Sequence, residues 1–239
     1  MAKMCITEKI EGISNLLYIQ SALSELFKSA DCSVQLKELE FRSELEITCP
    51  EYFFDIIKAE VKDKVAEIIV IKYKYDFFKK SIFINGLSEV DKEILFASLI
   101  AADLDDDKRY VFEKLKSFGD IAIDGVFNFR LAPLKKKWVE VASYIPPSFI
   151  NSQLKDFIGY LLENKKKRVY IDNGLVYDSH FRRLKRSTLL GGEKARLTRE
   201  VLLSNCGEIE ISGILPQDEE KYMKEYYGDK ISFMPTINC

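Results

Sequence analysis

Hydrophobic positions change period several times along the chain, and each change marks an element. Over residues 14–28, Leu16, Leu17, Ile19, Leu23, Leu26 and Phe27 recur at near-helical spacing and predict a helix. Residues 33–36, 39–41 and, more regularly, 45–49 alternate as strands do until Pro50 stops them. Pro50 and Glu51 open a long helix in which Phe53, Phe54, Ile57, Val61, Val65, Ile68 and Ile69 step by three and four. It runs on towards Tyr75 or bends near Val70. After the Asn85-Gly86 turn, Ser88 precedes Asp91 by three residues and caps a helix whose apolar face is Ile94, Leu95, Leu99 and Ile100. Helical period returns at Tyr110, Val111, Leu115 and Phe118, and Gly119 stops it. The acidic run 103–107 in between reads equally as helix surface or as a break.

Residues 124–131 form a short aromatic segment entering a helix, with Pro133 near its first turn. Leu134, Trp138, Val141 and Ala142 share one side of that helix, and Lys135, Lys136 and Lys137 lie mostly on the other. Pro146-Pro147 breaks the chain before a helix marked by Phe149, Leu154, Phe157, Ile158, Leu161 and Leu162. The period then drops to two. Residues 168–171 alternate, Asp172-Asn173-Gly174 turns, and 175–177 resume, which is a β-hairpin signal. A helix at 195–203, a strand at 209–211, a helix at 217–227 and a strand at 231–233 follow. Helical crossovers of that length favour neighbouring, parallel strands. The expected fold class is α+β, a helical central section with a C-terminal small α/β module containing a β-hairpin. The expected division is 1–120, mainly helical with short strands, and 121–239, the α/β module.

Composition is that of an ordinary globular chain, 239 residues with 47% hydrophobic, long enough to bury about 70% of its extended surface. No apolar stretch approaches the ~20 residues that cross a bilayer, and Glu8 and Glu11 interrupt the N-terminus before a secretion signal could form. The five cysteines, at 5, 32, 49, 206 and 239, are scattered and read as free thiols in a reducing, cytoplasmic compartment. Charge alters the picture more. Net charge is −2, yet residues 131–200 hold fifteen Lys or Arg against seven Asp or Glu. Lys165, Lys166, Lys167 and Arg168 precede the hairpin, and Arg182, Arg183, Lys185 and Arg186 follow it. If the hairpin folds back, the two clusters approach and form a contact surface for an acidic protein, nucleic acid or anionic head groups. Tyr170, Tyr177 and Phe181 are interleaved aromatics able to stack on bases.

Organised chemistry is harder to find. Gly191-Gly192-Glu193-Lys194 lacks the further glycine and the hydroxyl of a phosphate loop. Ser204 and Ser212 lack a nucleophile elbow. The acidic run lacks the alternating ligands and glycine of a calcium loop. One histidine, His180, and dispersed cysteines leave no zinc spacing. Neither metal nor cofactor is expected.

Residues 126–131, 157–162, 168–171 and 175–178, then Leu202-Leu203-Ser204 leading into 208–211 and a closing helix and strand, resemble the YtxC family of sporulation proteins of spore-forming Firmicutes. The resemblance covers roughly residues 125–239. Family members often end in a cluster of cysteines, whereas this chain has only Cys239, after Thr236-Ile237-Asn238. What the resemblance implies is a cytoplasmic, sporulation-associated protein; it carries over no catalytic residue. Three readings stand: a non-catalytic protein-interaction protein using the basic surface at 165–186, a nucleic-acid-binding protein using the same surface, and an enzyme of unfamiliar type around His180, Asp178, Asp172 and nearby arginines.

Overall fold

The structure, a computed structural model, describes residues 1–234. Cys239 and the residues just before it lie outside the described residues. In chain order the elements are β1 (Ala2–Lys9), α1 (Ile13–Ala22), α2 (Ser24–Ser29), β2 (Ser33–Glu38), β3 (Arg42–Cys49), α3 (Glu51–Glu67), α4 (Lys74–Ser81) and α5 (Glu89–Ala101). Then come α6 (Leu104–Leu115), β4 (Ile121–Ala122), α7 (Ile123–Arg130), α8 (Ala132–Ser143) and α9 (Asn151–Leu162). The C-terminal part holds β5 (Arg168–Asp172), β6 (Leu175–Tyr177), α10 (Arg196–Ser204), β7 (Glu208–Ser212), α11 (Gln217–Tyr227) and β8 (Ile231–Phe233). This is the expected α+β class, with its helical central section and its C-terminal hairpin module. The compact units are interleaved, 1–74 with 105–140 and 75–104 with 141–239, rather than divided once near 120. The central helices belong partly to each core, so no single cut in the sequence separates them.

In the first unit the sheet order is β2-β3-β1-β4. Met4 and Ile6 of β1 pair with Ile47 and Leu45 of β3, and all four are buried. They pack towards Leu16 and Ile19 of α1 and Ile57, Val61 and Val65 of α3. Beyond Glu67 four successive residues, Ile68 to Ile71, are buried. That is more than the single stripe of an amphipathic α-helix covers, and a π-helical turn, Ile68–Tyr73, joins α3 to α4. Charged residues flank this turn on the inside. Glu67 accepts from Tyr18 Oη at 2.7 Å, Lys64 Nζ at 2.9 Å and Lys108 Nζ at 2.8 Å. Lys74, 0% exposed, meets Asp107, 2% exposed, at 2.9 Å. Lys137 Nζ at 2.6 Å and Trp138 Nε1 at 3.0 Å complete the Asp107 shell. The acidic run thus resolves into the first turn of α6, where carboxylates suit the helix dipole, with Asp107 turned inward. Burial pushes the Asp107 carboxyl up, but the Lys74 charge and the donated hydrogen bonds bring it below the usual carboxylate value.

In the second unit the sheet order is β6-β5-β7-β8, with β5–β6 antiparallel and β5–β7 and β7–β8 parallel. Val169, Ile171, Val176, Ile209 and Ile211 form its buried face. Only α11 makes a crossover between neighbouring parallel strands, β7 and β8; α10 returns from the antiparallel β6 to β7, and it packs against α11 and is bonded by Glu219. Ser88 caps α5 as expected, accepting from Asp91 N at 3.2 Å. The start of α10 is capped from elsewhere. Ala195 supplies no side-chain acceptor. Glu219 of α11 accepts instead from Leu197 N at 2.8 Å, Thr198 N at 3.0 Å and Thr198 Oγ1 at 2.8 Å.

Three outcomes are expected, each read by unfolding in urea. Asp107→Leu leaves Lys74 buried without this carboxylate and should lower stability by about 3–5 kcal/mol. A carboxyl held low adds stability above its unfolded pKa and loses it as pH falls through its lower folded value. Asp107→Asn should therefore flatten the acid limb of the stability profile below about pH 4. Glu219→Ala should cost about 1–2 kcal/mol and speed amide exchange in the first turn of α10.

Candidate contact surface

Strand parity turns Arg168, Tyr170 and Asp172 of β5 away from the helices, together with Glu208, Glu210 and Ser212 of β7. Arg168, Asp172 and Glu208 are exposed and Tyr170, Tyr177, Glu210 and Ser212 are half-buried. Parallel register sets Arg168 opposite Glu208 and Tyr170 opposite Glu210. The Arg168 guanidinium donates to Glu208 through Nε at 2.9 Å and Nη2 at 2.6 Å, and to Glu210 through Nη1.

A tight loop after β6 carries the aromatic part of this face. The Asp178 carboxylate accepts from the backbone N–H groups of His180 and Arg182, both at 2.9 Å, and from Arg182 Nε at 2.9 Å. Partial burial raises its pKa, but these donors bring it below the usual range. Backbone bonds from Asp178 N to Arg182 O, 3.0 Å, and from Phe181 N to Asp178 O, 2.9 Å, close the loop. Phe181 sits inside it at φ 58°, a left-handed conformation that costs a bulky residue about 1–3 kcal/mol. Its ring stacks on Tyr170 with centroids 4.9 Å apart and planes at 19°. Such a pair contributes about 0.5–1.5 kcal/mol, and hydrogen bonds to a charged group about 1.5–3 kcal/mol each. The Asp178 bonds therefore decide the geometry. Their result is a phenylalanine left 71% exposed.

The eight basic residues expected to form one surface fall into three groups. Lys165, Lys166 and Lys167 follow α9, with Lys165 half-buried. A Cβ at Gly207 would stand 2.0 Å from the Lys165 carbonyl oxygen, so only glycine admits this close approach. Arg168 and Arg182 lie on the open side but are bound by the protein's own carboxylates, Arg182 by Asp178 at 2.9 Å. Arg183 bridges Tyr177 in antiparallel pairing, which puts its side chain on the same face. Lys185 and Arg186 are half-buried towards α10. There Glu200, raised in pKa by burial, accepts from Arg186 N at 2.9 Å and Ser187 N at 2.6 Å. Arg183 and Lys185 join Arg196, which the sequence did not single out, around a small cleft of about 30 Å³ lined also by Glu200 and Thr188.

Of the candidate catalytic groups, Asp178 is taken up by its own loop. His180 is exposed with Nδ1 3.4 Å from Ser179 Oγ, and neither of these residues nor Asp172 walls the cleft. The Gly191-Gly192 loop is not a phosphate cradle. Both glycines have positive φ, and their carbonyl oxygens accept from the buried Arg199 guanidinium at 2.9 and 2.7 Å. Carbonyl groups aimed at a cation have the polarity opposite to that a phosphate needs. Among the described residues no group of three or more His, Cys, Asp or Glu could hold a metal ion. Among them too, no helix is long and apolar enough to cross a membrane.

Untying the loop tests this account. Asp178→Ala should raise tryptic cleavage after Arg182 and Arg183 about tenfold or more, because cleavage follows the open population. Gel or mass analysis of a timed digest reads the outcome.

Compared with family models, curated proteins and solved structures, the chain matches none, and its function has to be argued from its own residues.

Proposed function

We propose that this chain is a non-catalytic protein-interaction protein that presents the open face of its C-terminal sheet to a protein partner. One observation carries the reading. A strained loop, held by Asp178, keeps Phe181 on Tyr170 and exposed to water beside charges that are already paired. Aromatic side chains are favoured in interface cores, and arginines with them. Arg168 set between Glu208 and Glu210, and Arg182 on Asp178, make the face mixed in sign. A mixed face suits a protein partner of mixed charge better than a phosphate backbone, which asks for net positive potential. The resemblance to the YtxC family supplies the proposed setting, the cytoplasm of a sporulating cell.

The reading is tested by affinity purification from sporulating cells with the wild-type chain and with Phe181→Ser. A specific partner retained by the first and depleted severalfold or more with the second is expected. Equal recovery with both would remove this face as the contact.

Nucleic acid is the second reading, favoured by the same ring stack on a face that also carries the exposed Arg183, with Lys166 exposed before β5. Fluorescence titration of labelled single strands at rising salt separates the two. Binding that weakens with salt, and that Lys166→Ala with Arg183→Ala removes, favours nucleic acid; no binding at low salt leaves the protein partner.

A further inference from the structure

Cys32 and Cys49 are free thiols that face each other where the β2–β3 hairpin ends. The register pairs Ser33 with Thr48, so one step outward sets Cys32 against Cys49. The type of pair follows from the turn end. Leu39 donates to the Arg42 carbonyl at 2.7 Å, just outside the Glu38–Ser43 pair, which marks that pair as one whose members do not bond each other. Pairs of that kind recur at every second position, through Leu36–Leu45 and Val34–Ile47 to Cys32–Cys49. Pro50, with no N–H, cannot extend the ladder past this point. Non-bonded pairs bring Cα atoms to about 4.5 Å, inside the window of ~4.4–6.8 Å that a disulfide spans.

The two thiols also interact directly. Burial pushes Cys32 up to about 11, and the charge and hydrogen bonding of Cys49 act on it in turn. Burial likewise raises Cys49, with a hydrogen bond from Cys32 and the charge of the amino terminus opposing it. Asp31 is the remaining charged group acting on the pair. Cys32 is half-buried, whereas Cys49 is buried.

We propose that Cys32 and Cys49 are a thiol–disulfide pair, oxidised by a small-molecule disulfide such as glutathione disulfide, that staples the edge strand β2 to β3. The Cys32 thiolate attacks one glutathione sulfur and expels a glutathione thiolate, leaving a mixed disulfide. The Cys49 thiolate then attacks Cys32 Sγ and expels the second. Two protein thiols are oxidised, one glutathione disulfide is reduced to two glutathiones, and the two protons end on them. The high thiol pKa values make the reaction slow near neutrality and faster as pH rises towards 11, because the thiolate is the nucleophile. In the sheet β2 pairs with β3 alone, so the staple acts on an edge strand.

The test is peptide mapping of the full chain after incubation with glutathione disulfide in mildly alkaline buffer and blocking of remaining thiols. Expected is a cross-linked pair of peptides carrying Cys32 and Cys49, with Cys206 still reduced, and amide exchange in β2 slowed by about tenfold and restored by dithiothreitol. In Cys49→Ser the reaction should stop at the glutathione adduct on Cys32. A wild-type chain that also stops at that adduct, a Cys32 bond to another cysteine, or cross-linking that leaves β2 exchange unchanged would overturn the proposal.

Discussion

The second unit depends on a packing constraint: α10, which returns from β6 to β7, and α11, which crosses from β7 to β8, pack on each other and leave one face of the sheet open. Sheets with parallel strands ordinarily bury both faces under helices. Here β5 and β7 bury Val169, Ile171, Ile209 and Ile211 against one layer, and the opposite side keeps the alternation of a half-exposed sheet. What occupies that open side is therefore set by residues two apart in each strand. In β5 these are Arg168, Tyr170 and Asp172, and in β7 Glu208, Glu210 and Ser212. The parallel register then fixes which charge meets which.

Buried charge organises both units, but by different means. In the first, Asp107 gathers Lys74, Lys137 and Trp138, and Glu67 gathers Tyr18, Lys64 and Lys108. These groups flank the π-helical turn, which suggests a simple division of labour. The extra residue in the turn lets a fully apolar run be buried while Glu67 and Lys74 on either side still reach inward partners. In the second unit, buried carboxylates replace capping residues that the local sequence does not supply. Glu219 serves α10, and Glu200 serves the backbone at Arg186 and Ser187.

Period-two and helical patterns made most elements legible from residues alone, including the hairpin at 168–177 and the cap at Ser88. The first strand was not legible, because its third inward residue is Glu8, which is buried and hydrogen-bonded by Asn15 and Tyr73. Two apolar residues and a carboxylate do not announce a strand. The acidic run was ambiguous for the same kind of reason, since the partners that turn Asp107 inward lie about thirty residues away on either side. The candidate surface was legible as a charge cluster but not as a geometry. Nothing in the local pattern says that Glu208 and Glu210 will stand in register with Arg168, since that depends on a parallel pairing forty residues apart. Nor does it say that Phe181 will take a left-handed backbone.

That left-handed residue bears most directly on what the open face is for. A glycine or asparagine at position 181 would adopt the same backbone at little cost, so the loop's closure does not require an aromatic. The ring gains stacking on one side from Tyr170 and leaves most of its surface in water, which forfeits much of the burial a phenylalanine normally contributes. For folding alone, this is a poor placement. Backbone strain and exposed apolar area at the same residue are both accounted for if a second surface covers the ring. Paired arginines and glutamates around it supply hydrogen-bonding rims without a strong net field. The physical balance thus favours contact with a protein over attraction to a uniformly charged polymer.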